Sequence, residues 1–172
     1  MTLRRRVLWL ALLTLSASGC AVSNLSFVAD KRLTVTSPKA QQLVGLPVTL
    51  RWTIKDFTIS APNSAAASAT SGYFAIFVDR APIRPGQTLK AVGSGDPACV
   101  HTPGCPDTTY LADHQVYTTT ATSLTLTSVN SLNTYQQVQL HEAIIVLLDA
   151  SGHRIGESAW YVDFRVRQLG VS

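Results

Sequence analysis

The residues of this 172-residue chain whose types and spacing could do chemistry are three cysteines, four histidines and two aspartates that end apolar runs. Cys99 and Cys105 enclose a five-residue segment, Val100-His101-Thr102-Pro103-Gly104. Cys99, His101 and Cys105 could ligate zinc, but a structural tetrahedral site takes four protein ligands and commonly uses a C-x₂-C pair, which is missing. Redox catalysis would use the C-x-x-C spacing that depresses a thiol pKa at a helix start, and the spacing here is longer. The third chemistry is a disulfide, for which Pro103-Gly104 supplies the tight turn a small ring requires. The histidines, His101, His114, His141 and His153, are scattered. His141-Glu142 lacks the second histidine of a zincin motif. Gly156-Glu157-Ser158-Ala159-Trp160 lacks the second glycine of a nucleophile elbow and opens a strand pattern, not a helix. Asp79 and Asp149 read as turn formers rather than as a catalytic acid pair. No residue is therefore assigned to catalysis, to a cofactor or to a metal.

The remaining cysteine, Cys20, closes a three-part leader. Residues 1–6 carry Arg4, Arg5 and Arg6, residues 7–15 (VLWLALLTL) are almost purely apolar, and residues 16–19 are small. This is the order of a secretory signal peptide, and its apolar run is shorter than the ~20 residues a membrane-spanning helix takes. Ala17-Ser18-Gly19-Cys20 resembles the lipobox of bacterial lipoproteins, with Ala17 where that family commonly has leucine. The resemblance covers only the leader and Cys20. It implies cleavage before Cys20, lipidation of its thiol, and attachment to a membrane of the bacterial cell envelope, facing the periplasm or the exterior. Two or three acyl chains would meet the requirement that stable anchoring take more than one. An ordinary signal peptidase acting on the same small residues would instead leave Cys20 as a free thiol. In an exported chain, Cys99 and Cys105 are most simply a disulfide.

The leader also accounts for the basic sequence pI of 9.2. Taking its three arginines from the 14 Lys+Arg leaves 11 against 10 Asp+Glu, a formal +1. A near-neutral domain has no basic stripe to neutralise phosphates, so nucleic acid is not an expected partner. Hydrophobic content of 46% with 14% charged residues describes a globular chain, and the roughly 150 residues past the leader can bury a sizeable core.

The elements that would position these residues are mostly strands. Residues 20–31 lack a sustained period and read as a tether. From Arg32 the period is two: Leu33 and Val35 alternate with threonines up to Ser37-Pro38. In Val48–Ile54, Val48, Leu50, Trp52 and Ile54 share one face and Thr49, Arg51 and Thr53 the other, which makes Trp52 a core residue. Residues 60–72 are small and polar, a connection. Residues 73–79 (YFAIFVD) and 141–149 (HEAIIVLLD) are apolar on both faces, the pattern of covered central strands. Residues 80–107 are rich in proline and glycine, too long to be a loose loop inside a compact domain. A helical turn over residues 87–92 and the cysteine pair would stiffen them. Asp107 can cap a helical turn over Thr108–Asp113. Residues 116–120 and 123–129 read as strands, 130–140 as irregular, 149–153 as a turn with Gly152 left-handed, and 156–167 as an alternating strand. Residues 168–172 are a tail.

About seven strands separated by turn signals predict an all-β, antiparallel β-sandwich over residues 32–167. The order resembles an immunoglobulin-like or fibronectin type III-like domain, carried by the strand holding Trp52 and by the closing pair of strands from Ala143 to Val166, without the inter-sheet disulfide of antibody domains. The expected function is a lipid-anchored, non-catalytic binding or scaffold domain whose partner is an envelope protein or a glycan. A hydrolase or metal-dependent enzyme with a spatially assembled site, and a passive structural spacer, are the alternatives.

Overall fold

The computed structural model describes residues 30–130 and 136–167. The leader, Cys20, most of the tether and the tail of the sequence reading lie outside these residues. Within them the chain forms nine strands and three short helices. Strands β1 (Leu33–Ser37), β3 (Val48–Ile54) and β7 (Ser123–Leu126) make a small sheet in the order β1-β3-β7, antiparallel throughout. Strands β2 (Gln42–Val44), β9 (Trp160–Arg167), β8 (Val138–Leu148) and β5 (Ser71–Val78) lie side by side in the larger sheet. The outer edge of β5 takes both β4 (Thr58–Ile59) and β6 (Val116–Thr119).

The two sheets face each other across one core. Leu33, Val48, Leu50, Trp52 and Leu126 of the small sheet meet Phe74, Ile76, Ala143, Ile145, Leu147, Val162, Phe164 and Val166 of the large one. The alternation in β3 thus does what its period predicts, and Trp52 packs edge-on against Phe74 with ring centroids 5.2 Å apart. The fold is therefore mostly β and sandwich-like. It departs from the expectation in one respect: the larger sheet is mixed, because β2 pairs parallel with β9 and β4 parallel with β5. Both additions are too short, at three and two residues, to carry a period in sequence. The chain crosses between the sheets after Ser37: β1 pairs with β3, and the Gln41 backbone N–H then donates to the Asp163 carbonyl at 2.8 Å to begin the pairing with β9.

Strands β5 and β8 are apolar on both faces because the larger sheet has a second core on its outer side. There Tyr73, Ala75, Phe77, Val146 and Leu148 are covered by Ile83, Leu89, Val92, Leu111 and Val116. The cover is the long connection, which folds as α1 (Lys90–Gly93), α2 (Pro97–Val100) and α3 (Thr108–Asp113). Arg154, 8% exposed, binds the connection down: its guanidinium donates to the carbonyls of Ile83 and Glu157, and its backbone N–H donates to the Gln87 carbonyl at 2.8 Å.

At the entry to the domain, the Trp160 indole N–H donates to the Asp30 carbonyl at 2.9 Å, and Arg32 forks onto the Asp30 carboxylate at 2.7–3.1 Å. The Arg32 guanidinium holds the Asp30 carboxyl down at about 2, against burial, which pushes the other way. Since this lies below the unfolded value of about 4, the pair's contribution is complete above that pH and is lost as pH falls through about 2. Asp30→Asn should therefore cost about 1 kcal/mol at pH 7, after allowance for screening of a part-exposed pair, and far less at pH 2. Urea unfolding at both values checks this; an equal loss at pH 2 would place the effect elsewhere.

Candidate functional site

The connection over the outer face is built from local signals. Pro97 opens α2, and the Asp96 carboxylate caps it by accepting from the Ala98 N–H at 2.9 Å. Asp107 caps α3 in the same way, accepting from the Tyr110 N–H at 2.8 Å, as its place before a helical run predicts. The two caps are joined: the Tyr110 hydroxyl donates to the other Asp96 oxygen at 3.1 Å. Cys99 and Cys105 stand at disulfide distance with Cα atoms 5.2 Å apart. Gly93 lies against this bridge; a Cβ there would overlap the Cys99 Sγ and come within 3.5 Å of the Tyr110 ring. Replacing Cys99 and Cys105 together by serine should lower stability by about 2–3 kcal/mol on the loop-entropy argument. A double-serine protein that melts with the wild type would mean that the Asp96 and Asp107 caps hold the connection unaided.

Between this braced connection and the end of the sheet lies a cleft of about 780 Å³. Its walls come from four places: Asn63 before β5, Tyr73 on β5, Thr88, Lys90, Cys105 and Leu111 from the connection, and Ser151, Gly152 and His153 from the turn after β8. Thr88 and His153 form an isolated antiparallel bridge, and the Asn63 N–H donates to the Ala150 carbonyl, so the walls are tied to one another. Tyr73 is 6% exposed, and its hydroxyl reaches the cleft beside Gly152, where a Cβ would stand 3.2 Å from it. Burial, and next the Asp149 carboxylate, push the Tyr73 phenol above its ordinary pKa, so it remains a protonated donor at neutral pH.

The turn aspartate acts as predicted. Asp149 Oδ1 accepts from the backbone N–H groups of Ser151 and His153 at 2.8 and 3.0 Å, and Gly152 takes φ +84°. The return strand begins only at Trp160, opposite Ile145, so the connection runs past the expected tight turn. Asp79 does more than turn the chain at φ +55°. One of its oxygens accepts from the Glu142 N–H at 2.9 Å and the other stands 2.7 Å from His141 Nδ1. His141 is 1% exposed, packed on Phe164 inside the sandwich, and its Nε2 is buried without a partner among the described residues. Reading the histidines as scattered missed this pair. The signal was present only as alternation: His141 occupies an inward position of β8, in phase with Ala143 and Ile145.

The other histidines stand apart. His114 stacks on Tyr110 at 4.0 Å, His153 lies 3.8 Å from Asp149 at the rim of the cleft, and His101 caps the C-terminus of α2. Among the described residues no three of His, Cys, Asp and Glu stand close enough to hold a metal ion. The outer face of the larger sheet that the connection leaves open presents Leu43, Leu140 and Tyr161 around Arg165. No helix among the described residues is long and apolar enough to cross a membrane.

Fold and site together define a mostly β, sandwich-like domain whose larger sheet is roofed on one side by a braced connection with a polar cleft beneath its edge. Searches against protein-family models, curated proteins and solved structures found no match to this chain.

Proposed function

We propose that this is a lipid-anchored envelope protein, held to the membrane through Cys20, whose immunoglobulin-like domain binds a partner without catalysis. The immunoglobulin-like reading rests on strand order. A three-stranded β1-β3-β7 sheet faces β9-β8-β5-β6, and the first strand's continuation crosses to the second sheet, as the A, B and E strands face G, F, C and C′ in such domains.

The observation that carries the binding reading is the cleft under the disulfide-braced connection. A passive spacer needs no such recess, and loops held by a rigid sheet are where binding groups concentrate. Chemistry on a bound substrate has less to draw on there: the buried His141–Asp79 pair does not line the cleft, and His153, which does, is half exposed at the rim with no carboxylate among the lining residues.

Deleting residues 97–107 and repeating a pull-down from membranes tests the binding reading: partners should be lost, and an unchanged set of partners would remove the connection from consideration. The anchor has its own test. Cys20→Ser should shift the protein from the membrane to the soluble fraction with no lipid mass on its N-terminus. Continued tight membrane association of that variant would sink the lipoprotein reading.

A further inference from the structure

Exposed apolar side chains gather on one face of the domain. Among the described residues six large hydrophobic side chains are exposed, and four of them, Leu43, Val138, Leu140 and Tyr161, stand on the outer face of β2, β9 and β8. Alternation puts them there: Val44, Ala143, Val162 and Phe164 turn toward the core between the sheets, so the residues next to them along each strand turn out. The connection covers this face only as far as Ile144. Exposed apolar residues grouped in this way, with charges among them, mark a surface that another surface covers.

The register orders the face into four rows across the strands. Tyr161 lies opposite Ile144, Asp163 opposite Glu142, Arg165 between Leu140 and Leu43, and Arg167 opposite Val138. Both carboxylates are therefore in one row and the two arginines in the rows beyond it, at a spacing of about 7 Å. None of these four charged residues forms an ion pair among the described residues. The Gln41 amide stands between two of them, donating to Asp163 at 3.3 Å and accepting from Arg165 at 3.2 Å.

Such a face is complementary to itself. A second copy turned over about an axis lying across the strands, between the Asp163 and Arg165 rows, meets the first with its rows in reverse order. Arg165 then faces Asp163 of the second copy, Arg167 faces the ring of Tyr161, and Val138 faces Ile144. Each contact occurs twice, as two-fold symmetry requires. The arrangement matches opposite charges, sets a guanidinium on an aromatic ring and apolar groups on each other. Its strands run antiparallel to those of the second copy, which is the aligned way of packing two sheets. Three strands by four rows measure about 15 by 25 Å. That is at the small end of specific interfaces, so the dimer is a weak one, formed at high local concentration.

We infer that the outer face of β2, β9 and β8 is the contact between two copies of this chain, an isologous dimer in which Arg165 of each copy pairs with Asp163 of the other. No residue of this face lines the cleft, so the dimer goes beyond the binding reading and does not depend on it.

Sedimentation equilibrium of the full-length protein in a density-matched detergent tests the dimer. The wild type should associate with a Kd between about 10 μM and 1 mM. Arg165→Asp and Asp163→Arg each set like charges together twice and should weaken association at least about tenfold. An equimolar mixture of the two variants should dimerise again, because the exchanged charges then match at both contacts. Tyr161→Ser, at a side chain 67% exposed, should weaken the dimer about fivefold with every charge in place. Thermal melting confirms that each variant is folded. A wild type that stays monomeric at about 1 mM would overturn the inference. So would a mixture that fails to recover, or association indifferent to all three substitutions, the result expected if micelles merely hold two chains together. A monomeric wild type that loses its membrane partners on Arg165→Asp would assign the face to a different protein.

Discussion

Gly72→Ala should leave little or no folded domain. Gly72 sits in β5 at φ +151°, and an added Cβ would run into the Leu148 carbonyl oxygen and come within 2.8 Å of the Asp149 Cα. Both obstacles are backbone, so no side chain can swing away. The neighbouring pair, Tyr73 opposite Leu148, begins the β5–β8 ladder that supports the core between the sheets and the core under the connection. Relief would have to push those strands apart. A backbone clash combined with a φ that L side chains rarely adopt belongs among substitutions costing more than about 4 kcal/mol. That is a large part of the 5–15 kcal/mol a domain has in total. Thermal melting should fall by about 10 °C or more, or show no transition. Gly45→Ala is the control, because nothing lies within 4 Å of its added carbon. A Gly72→Ala curve that overlays the control would mean the β5–β8 approach is not as close as described.

The second large effect is expected at Asp79. Asp79→Ala removes the partner of His141 Nδ1 among the described residues and the acceptor of the Glu142 N–H, beside an imidazole that is fully buried. It also places alanine at φ +55°. Leaving one half of a buried polar pair costs about 3–5 kcal/mol. Asp79→Asn keeps an acceptor for Glu142 and a group beside His141 Nδ1, and asparagine tolerates the left-handed conformation, so its cost should be about 1 kcal/mol. Combining Asp79→Ala with His141→Leu should recover part of the single-variant loss, because the stranded imidazole goes with it. Urea unfolding of the four proteins measures these differences. Equal losses for Ala and Asn would show that the carboxylate geometry matters less than its charge. Neither variant should change what the protein pulls down from membranes, because the pair holds the two central strands together and does not open on the cleft.

The parts of this molecule that were legible in the sequence share one property: their signals are local. The period of two in Val48–Ile54 predicted which residues face the core, and β3 buries Val48, Leu50 and Trp52. The double apolar face of residues 73–78 predicted a covered central strand, and β5 is covered by the sandwich core on one side and the connection on the other. Asp107 before a helical run, Asp149 before Gly152, and a cysteine pair six apart in sequence were read correctly as a cap and a turn, and as a pair that stands at disulfide distance.

What escaped were features joined across long stretches of chain. Asp79 and His141 lie 62 residues apart, and only the β5–β8 register brings them together. The parallel additions β2 and β4 are too short to carry a pattern, so their pairing follows from where their neighbours leave an open edge. Tyr73 reads in sequence as one more apolar strand residue. Its hydroxyl gains meaning only when residues 88–111 and 149–153 close around it.

The sequence by itself thus determined which residues alternate, where caps and turns fall, and the sandwich-like β character of residues 32–167; the proposal of a leader ending at Cys20 also stands on sequence alone. Only the tertiary structure decided that the larger sheet is mixed, that one histidine is bound to a carboxylate at the edge of the core, and that a polar cleft opens beneath the edge of the connection. The physical reason is the same in each case. Period, capping and turn chemistry are set by neighbours a few residues away, whereas register and enclosure depend on which distant surfaces meet when apolar area is buried.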